Sequence, residues 1–143
     1  MIQLFFYVNF LIITTFVRIV YFFLMVKQKS LSIWLTGISG SGKTTISNEL
    51  KSALKQKGFN VIHLDGDSVR SGLCKDLGFT DKDRFENIRR VSELSKLLMS
   101  NNLITINSFI TPLESMRDLA KEIIGENNFV EIYVKDWGSI TQA

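Results

Sequence analysis

Cysteine, histidine and proline occur once each in the 143 residues, as Cys74, His63 and Pro112. One cysteine excludes an internal disulfide framework and a cysteine-built zinc site. One histidine excludes a His-rich metal centre. Net charge is also scarce, since 17 Lys and Arg against 14 Asp and Glu leave a formal +3. The two signs are interspersed after residue 27, so the clustered basic face of a nucleic-acid binder is absent and no nucleic-acid partner is expected. Internal repeats are absent, and the length suits one domain.

What the chain has is unevenly spread. Residues 1–26 carry eight of the sixteen aromatics, none of the nine glycines and a single charge, Arg18. Such a run exceeds the roughly 20 apolar residues that span a bilayer. Lys27 and Lys29 follow at once, which by the positive-inside tendency leaves the remainder in the cytoplasm. A cleaved signal peptide fits poorly, because the basic residues come after the apolar stretch and no small-residue cleavage site is present. Two readings stay open: a membrane anchor tethering a cytoplasmic domain, or upstream sequence ahead of a start at Met25. Arg18 weighs against the anchor, at a cost of roughly 2.5–3.5 kcal/mol near the bilayer centre. The expected organisation is an apolar segment over 1–26 and one folded domain over 27–143.

From Lys27 onward strand-like and helix-like pieces alternate. Leu31 to Thr36, Asn60 to Leu64, Leu103 to Ile110 and Phe129 to Val134 read as strands. Lys43 to Lys57, the stretch after Thr80, and Leu113 to Ile124 have helical spacing. Thr80 to Asp83 resembles a capping box with Asp in the Glu place. This alternation predicts an α/β fold, a parallel sheet with helices on both faces.

Between the first strand and first helix, Gly37-Ile38-Ser39-Gly40-Ser41-Gly42-Lys43-Thr44 matches the phosphate-loop pattern G-x-x-x-x-G-K-[ST] in full. Glycines let successive backbone N–H groups turn toward phosphate oxygens, and the following helix N-terminus adds positive partial charge there. The residues expected to hold ATP are Gly37, Gly40, Ser41, Gly42, Lys43, Thr44 and Thr45, with Lys43 reaching the β- and γ-phosphates and the Thr44 hydroxyl joining a Mg²⁺ shell. No N-K-x-D guanine signature is present, and the chain is short for a motor or transporter, so a small-molecule kinase of P-loop NTPase type is the better fit. Asp65 and Asp67 fall at the carboxyl end of the second strand, where open α/β sheets bind ligands. A carboxylate there could accept a proton from an acceptor hydroxyl or hold Mg²⁺, Asp65 being the metal candidate. The same Asp-Gly-Asp could equally be a plain β-turn.

Leu64-Asp65-Gly66-Asp67-Ser68-Val69-Arg70, then Lys75-Asp76-Leu77-Gly78-Phe79, Asp83 to Arg90 and Ser108-Phe109-Ile110 together resemble the adenylylsulfate (APS) kinases, over roughly residues 31 to 134. The resemblance implies transfer of the ATP γ-phosphate to the ribose 3′-hydroxyl of adenosine 5′-phosphosulfate, in sulfate assimilation. By that resemblance Lys43, Asp67 and Thr111 are the catalytic candidates, with Asp67 at the acceptor hydroxyl. Arg70 would meet the phosphosulfate, Phe79 would stack on adenine, and Arg84, Asn87, Ile110 and Thr111 would complete the acceptor site. Arg84 and Asn87 lie three apart, hence on one helix face. Taken alone, Phe79 reads as a core aromatic and His63 as a structural strand residue. A homodimer is a further implication, since members of this family often dimerise.

Three departures from the family pattern stand out. Thr111 occupies the serine of F-I-S-P, a position linked to a phosphoserine. Leu113-Glu114 replaces Tyr-Arg. Residues 135–143 do not continue into the helix, basic lid and last strand of the family, which suggests a C-terminally truncated reading with an uncovered sheet edge. Two alternatives therefore accompany APS kinase: a kinase for another anionic nucleotide, such as cytidine diphosphoramidate in capsule biosynthesis, and an inactive ATP-binding remnant.

Overall fold

The computed structural model describes residues 3–6, 15, 17–22 and 30–135. Five strands form one all-parallel sheet: β1 (Gln3–Phe6), β2 (Ser32–Thr36), β3 (Val61–Asp65), β4 (Ile104–Ser108) and β5 (Phe129–Val134). Their order is β1-β5-β2-β4-β3. Helices α1 (residues 17–22), α2 (Lys43–Gln56), α3 (Gly66–Ser71), α4 (Asp81–Ser100) and α5 (Glu114–Ile124) complete the fold.

A parallel strand covered on both faces must be apolar on both, and β2 shows it. Ile33 and Leu35 enter one core with Ile46, Leu50 and Leu54 of α2. Trp34 enters the other, with Ile88 and Val91 of α4 and Met116, Ala120 and Ile124 of α5. The fully buried Leu50 and Leu54 each contribute roughly 1.5–3 kcal/mol through removal from water. A group of polar side chains in this interior is paired across elements. Asn107 and Thr105 both donate to Ser32 Oγ, and Ser95 Oγ donates to Asn107 Oδ1, tying β2, β4 and α4 together.

The helix ends follow local chemistry. Thr80 caps α4 by accepting the Asp83 N–H, and its hydroxyl donates to the Asp83 carboxylate, so the two residues pair at the helix start through the hydroxyl. No side chain caps α2, which starts directly from the glycine loop with its first N–H groups facing outward.

The expected elements are present within a residue or two at most ends. Asp65-Gly66-Asp67 is not a bare turn: Asp65 caps the short helix α3 by accepting the Asp67 N–H. The larger difference is at the N-terminus. β1 pairs with β5 from Gln3↔Glu131 to Phe6↔Val134, so the β5 edge, expected to be bare, is covered. In α1, Val17 and Val20 are buried against the α2 core, Arg18 is exposed, and Tyr21 meets Phe59 edge-on. Among the described residues no helix is long and apolar enough to cross a membrane. Most of the expected anchor segment lies outside the described residues.

Candidate active site

From β2 the chain crosses to the far edge strand β3, and from β4 it crosses back to β5 on the other side of β2. The strand order therefore reverses beside β2 and β4, and a crevice opens at their carboxyl ends. It holds a cavity of about 560 Å³.

One wall is the phosphate loop. Gly40 and Gly42 have φ of 79° and 95°, a left-handed backbone that side chains resist, and both line the cavity. Gly37 does not line it. Its role is close packing, since a Cβ there would lie 2.4 Å from the Val134 carbonyl oxygen. Lys43 is buried, and its ammonium donates to the Gly37 carbonyl (2.9 Å), the Ile38 carbonyl (2.6 Å) and Ser41 Oγ (3.4 Å). Burial pushes its pKa down, and the Asp65 carboxylate opposes that shift. A buried cation beside free helix N–H groups makes an anion site. Thr44 and Thr45 line the same wall.

The floor is the carboxyl end of β3. Asp65 Oδ1 accepts from Thr44 Oγ1 at 3.2 Å, and Asp67 opens into the cavity from the first turn of α3. Among the described residues no three His, Cys, Asp or Glu side chains cluster as an all-protein metal cage. Thr44 and Asp65 instead offer two hard oxygen atoms side by side.

The opposite wall is built from side chains. Phe79 is 70% exposed, which rules out the core reading of that aromatic. Arg70 holds its guanidinium 4.4 Å from the ring centre and donates to the Gly78 carbonyl. Arg84 lies 5.9 Å from the same ring centre and donates to the Phe79 carbonyl. Asn87, one turn along α4, is buried with an Oδ1 that has no hydrogen-bond partner, and it lines the cavity. An orphaned buried acceptor costs free energy unless a ligand satisfies it. Ile110 also reaches this cavity.

Three expected residues fall elsewhere: Gly37, Ser41 and Thr111 do not line the cavity. Thr111 is 1% exposed, and its hydroxyl accepts from Trp34 Nε1 at 3.0 Å and donates to the Phe109 carbonyl. That hydroxyl is engaged within the core, bridging Trp34 and the Phe109 carbonyl. Arg117 holds the same segment by donating to the Thr111 carbonyl while pairing with Glu131.

Sequence reasoning did not single out the support behind Phe79. Arg90 grips both carboxylate oxygens of Asp76 (2.7 and 2.8 Å) and the Leu73 carbonyl, and its Nε reaches Glu86. Glu86 also pairs with Arg89 through two bonds of 2.8 Å. These bonds to Arg89 and Arg90 hold the Glu86 carboxyl down to about 2, and the Arg90 contact lowers that of Asp76. The network fastens the loop preceding Phe79 to α4. Ser108 and His63 also carry no sequence signal that marks them for the site. Ser108 lines the cavity, and His63 Nε2 hydrogen-bonds to its hydroxyl. Burial lowers the His63 pKa, Asp65 raises it and Lys51 lowers it further.

A sequence model of the adenylylsulphate kinase family matches residues 29–141. The chain is 54% identical over 110 residues to an adenylyl-sulfate kinase of Halothermothrix orenii, covering 77% of this chain and 58% of that protein. It is 52% identical over 109 residues to one of Bacillus velezensis, covering 76% and 55%. The chain thus spans little more than half the length of these relatives. Among solved structures, a Mycobacterium tuberculosis APS kinase in complex with AMPPNP and APS superposes with a TM-score of 0.71 at 36% identity, over 74% of this chain and 62% of that one. A hexameric APS kinase from Thiobacillus denitrificans gives 0.68 at 32% identity, over 75% and 22%. Sequence over most of the chain and backbone over three quarters of it converge on one assignment: the chain belongs to the adenylylsulfate kinase family.

Proposed function

We propose that the protein transfers the γ-phosphoryl group of ATP to the ribose 3′-hydroxyl of adenosine 5′-phosphosulfate. One observation carries the reading: a single cavity joins the phosphate loop to an exposed, arginine-flanked Phe79, and Asp67 lines it too. A phosphate loop alone fits any ATP user. An aromatic platform beside two guanidiniums and an orphaned acceptor fits a second nucleotide that is itself anionic. The M. tuberculosis relative solved with AMPPNP and APS supports that pairing.

In the proposed reaction the loop N–H groups and Lys43 hold the ATP phosphates, Lys43 exchanging loop carbonyls for phosphate oxygens. Adenine of the acceptor stacks on Phe79, Arg70 and Arg84 face the phosphosulfate, and Asn87 Oδ1 accepts an N–H or O–H of the nucleotide. The 3′-oxygen bonds to the γ-phosphorus as the bond from that phosphorus to the β–γ bridging oxygen breaks. ADP leaves, and the hydroxyl proton passes to the Asp67 carboxylate. Positioning and charge complementarity supply most of the acceleration in phosphoryl transfer. Mg²⁺ belongs to the same proposal. Two adjacent oxygen donors, Thr44 and Asp65, suit an ion that keeps much of its water and takes its other ligands from phosphates. When bound, it neutralises charge on the phosphate oxygens.

The test is ADP release by the full chain with Mg-ATP, with and without APS, beside Lys43→Ala. APS-dependent release that the substitution abolishes is the expected result. Nucleotide binding without APS-dependent release overturns the assignment and leaves the ATP-binding remnant.

A further inference from the structure

Below the phosphate loop lies a polar chain that the loop motif does not require. Ser47 of α2 is fully buried, and its hydroxyl lies 2.9 Å from that of Ser108 at the end of β4. Ser108 in turn hydrogen-bonds His63 Nε2 on β3. Ser47 follows Lys43 by one helical turn, on the same face of α2. His63 precedes Asp65 by two residues, on the same face of β3. The chain therefore links the turn that carries Lys43 and Thr44 to the strand end that carries Asp65 and Asp67.

Among the described residues one other side-chain bond spans that gap, Thr44 Oγ1 to Asp65 Oδ1. It consists of the two groups that a phosphate-bound cation would engage, so it cannot hold the spacing once both substrates are in place. The Ser47–Ser108–His63 chain uses neither of those groups: Ser47 is fully buried and Ser108, though it lines the cavity, is 4% exposed, so a cation engaging Thr44 and Asp65 leaves the chain's own bonds in place. Buried polar groups are tolerated only when satisfied, and removing the half-buried His63 leaves the buried Ser108 a partner short.

We propose that His63 is a positioning residue: through Ser108 and Ser47 it fixes the distance between the phosphate loop and the acceptor-side carboxylates. The proposal deepens the kinase reading above and rests on it for its turnover arm. The experiment compares wild type, His63→Leu, His63→Gln and Ser47→Ala in two readouts, APS-dependent kcat and Mg-ATP affinity by calorimetry without acceptor. A displacement on the order of 1 Å costs up to about a hundredfold in rate. His63→Leu and Ser47→Ala are therefore expected to lower kcat about ten- to a hundredfold and weaken Mg-ATP binding, with KM for APS unchanged. His63→Gln, whose terminal amide can meet Ser108, is expected to restore both. If wild type shows no APS-dependent turnover, the acceptor reading fails, yet the same loss and rescue of Mg-ATP affinity still upholds the positioning role. His63→Leu with wild-type kcat and Mg-ATP affinity overturns it. So does a loss that tracks melting temperature and is not rescued by His63→Gln.

Discussion

The two walls of the cavity are made differently. The phosphate wall is backbone, glycine conformation and one buried lysine, set between packed strands and α2. The opposite wall is side chains: an exposed phenylalanine, two partly exposed arginines beside it, the buried Asn87 and a surface ion-pair network behind them. The first is rigid because the fold makes it, and few substitutions can alter it without disturbing the fold. The second is held by contacts that single substitutions or a change of pH can loosen one at a time. On the proposed reading, specificity for the acceptor sits on the softer wall.

The sharpest break in this comparison comes from Lys43→Ala. It removes the phosphate wall's charge and is expected to lower kcat by about 10²–10³-fold, as for loss of one transition-state donor, while the fold persists by circular dichroism. Phe79→Ala should act on the other wall only. Base stacking on an aromatic is worth about 1–3 kcal/mol, so KM for APS should rise roughly ten- to a hundredfold with ATP affinity unchanged by calorimetry. A matching loss of ATP affinity would mean that the walls are not separable.

Thr111→Val distinguishes a core role from a chemical one. It leaves the buried Trp34 N–H without its acceptor, at a cost of about 1–3 kcal/mol. Chemical denaturation should show that loss while kcat stays at the wild-type level. A collapse of kcat with stability intact would return Thr111 to the reaction.

The smallest effect belongs to the ion pairs behind Phe79. The Glu86 carboxyl is held at about 2 against an ordinary 4.5. Between those values the unfolded chain binds more protons, so stability rises with pH through that window. The Glu86 contribution is complete above about pH 4.5 and is lost as pH falls through 2. The gap in urea midpoint between wild type and Glu86→Gln should be present at pH 6 and close as the solution is acidified. A gap constant with pH would show that the pairs do not hold the loop.

The same contrast governs what could be read from the sequence. The phosphate wall is legible because the glycines and Lys43 must be contiguous to wrap a phosphate, and the contiguous string is the site. Asp67 is marked by its place at the carboxyl end of a strand, whereas Arg70, Phe79, Arg84 and Asn87 are reached through family resemblance, since spacing alone leaves Phe79 a core residue. The supports were not legible. Arg90 meets Asp76 across fourteen positions, Ser47 meets Ser108 across sixty-one, and Trp34 meets Thr111 across seventy-seven. Only the folded sheet brings these together. β1 escaped for another reason: an unbroken apolar run has no alternation to mark a strand, and its length satisfies the criterion for a membrane span. Helix α3 was hidden because Asp-Gly-Asp has the composition of a turn, and here the first Asp is a helix cap.

The central claim is that both walls serve one transfer, from ATP to the 3′-oxygen of APS. Phosphorus NMR of a reaction containing the full chain, Mg-ATP and APS reads it directly. A ribose 3′-phosphomonoester resonance growing in equal proportion to ADP, and absent with Lys43→Ala, is the predicted result. ADP accumulating with free phosphate and no 3′-ester would contradict it.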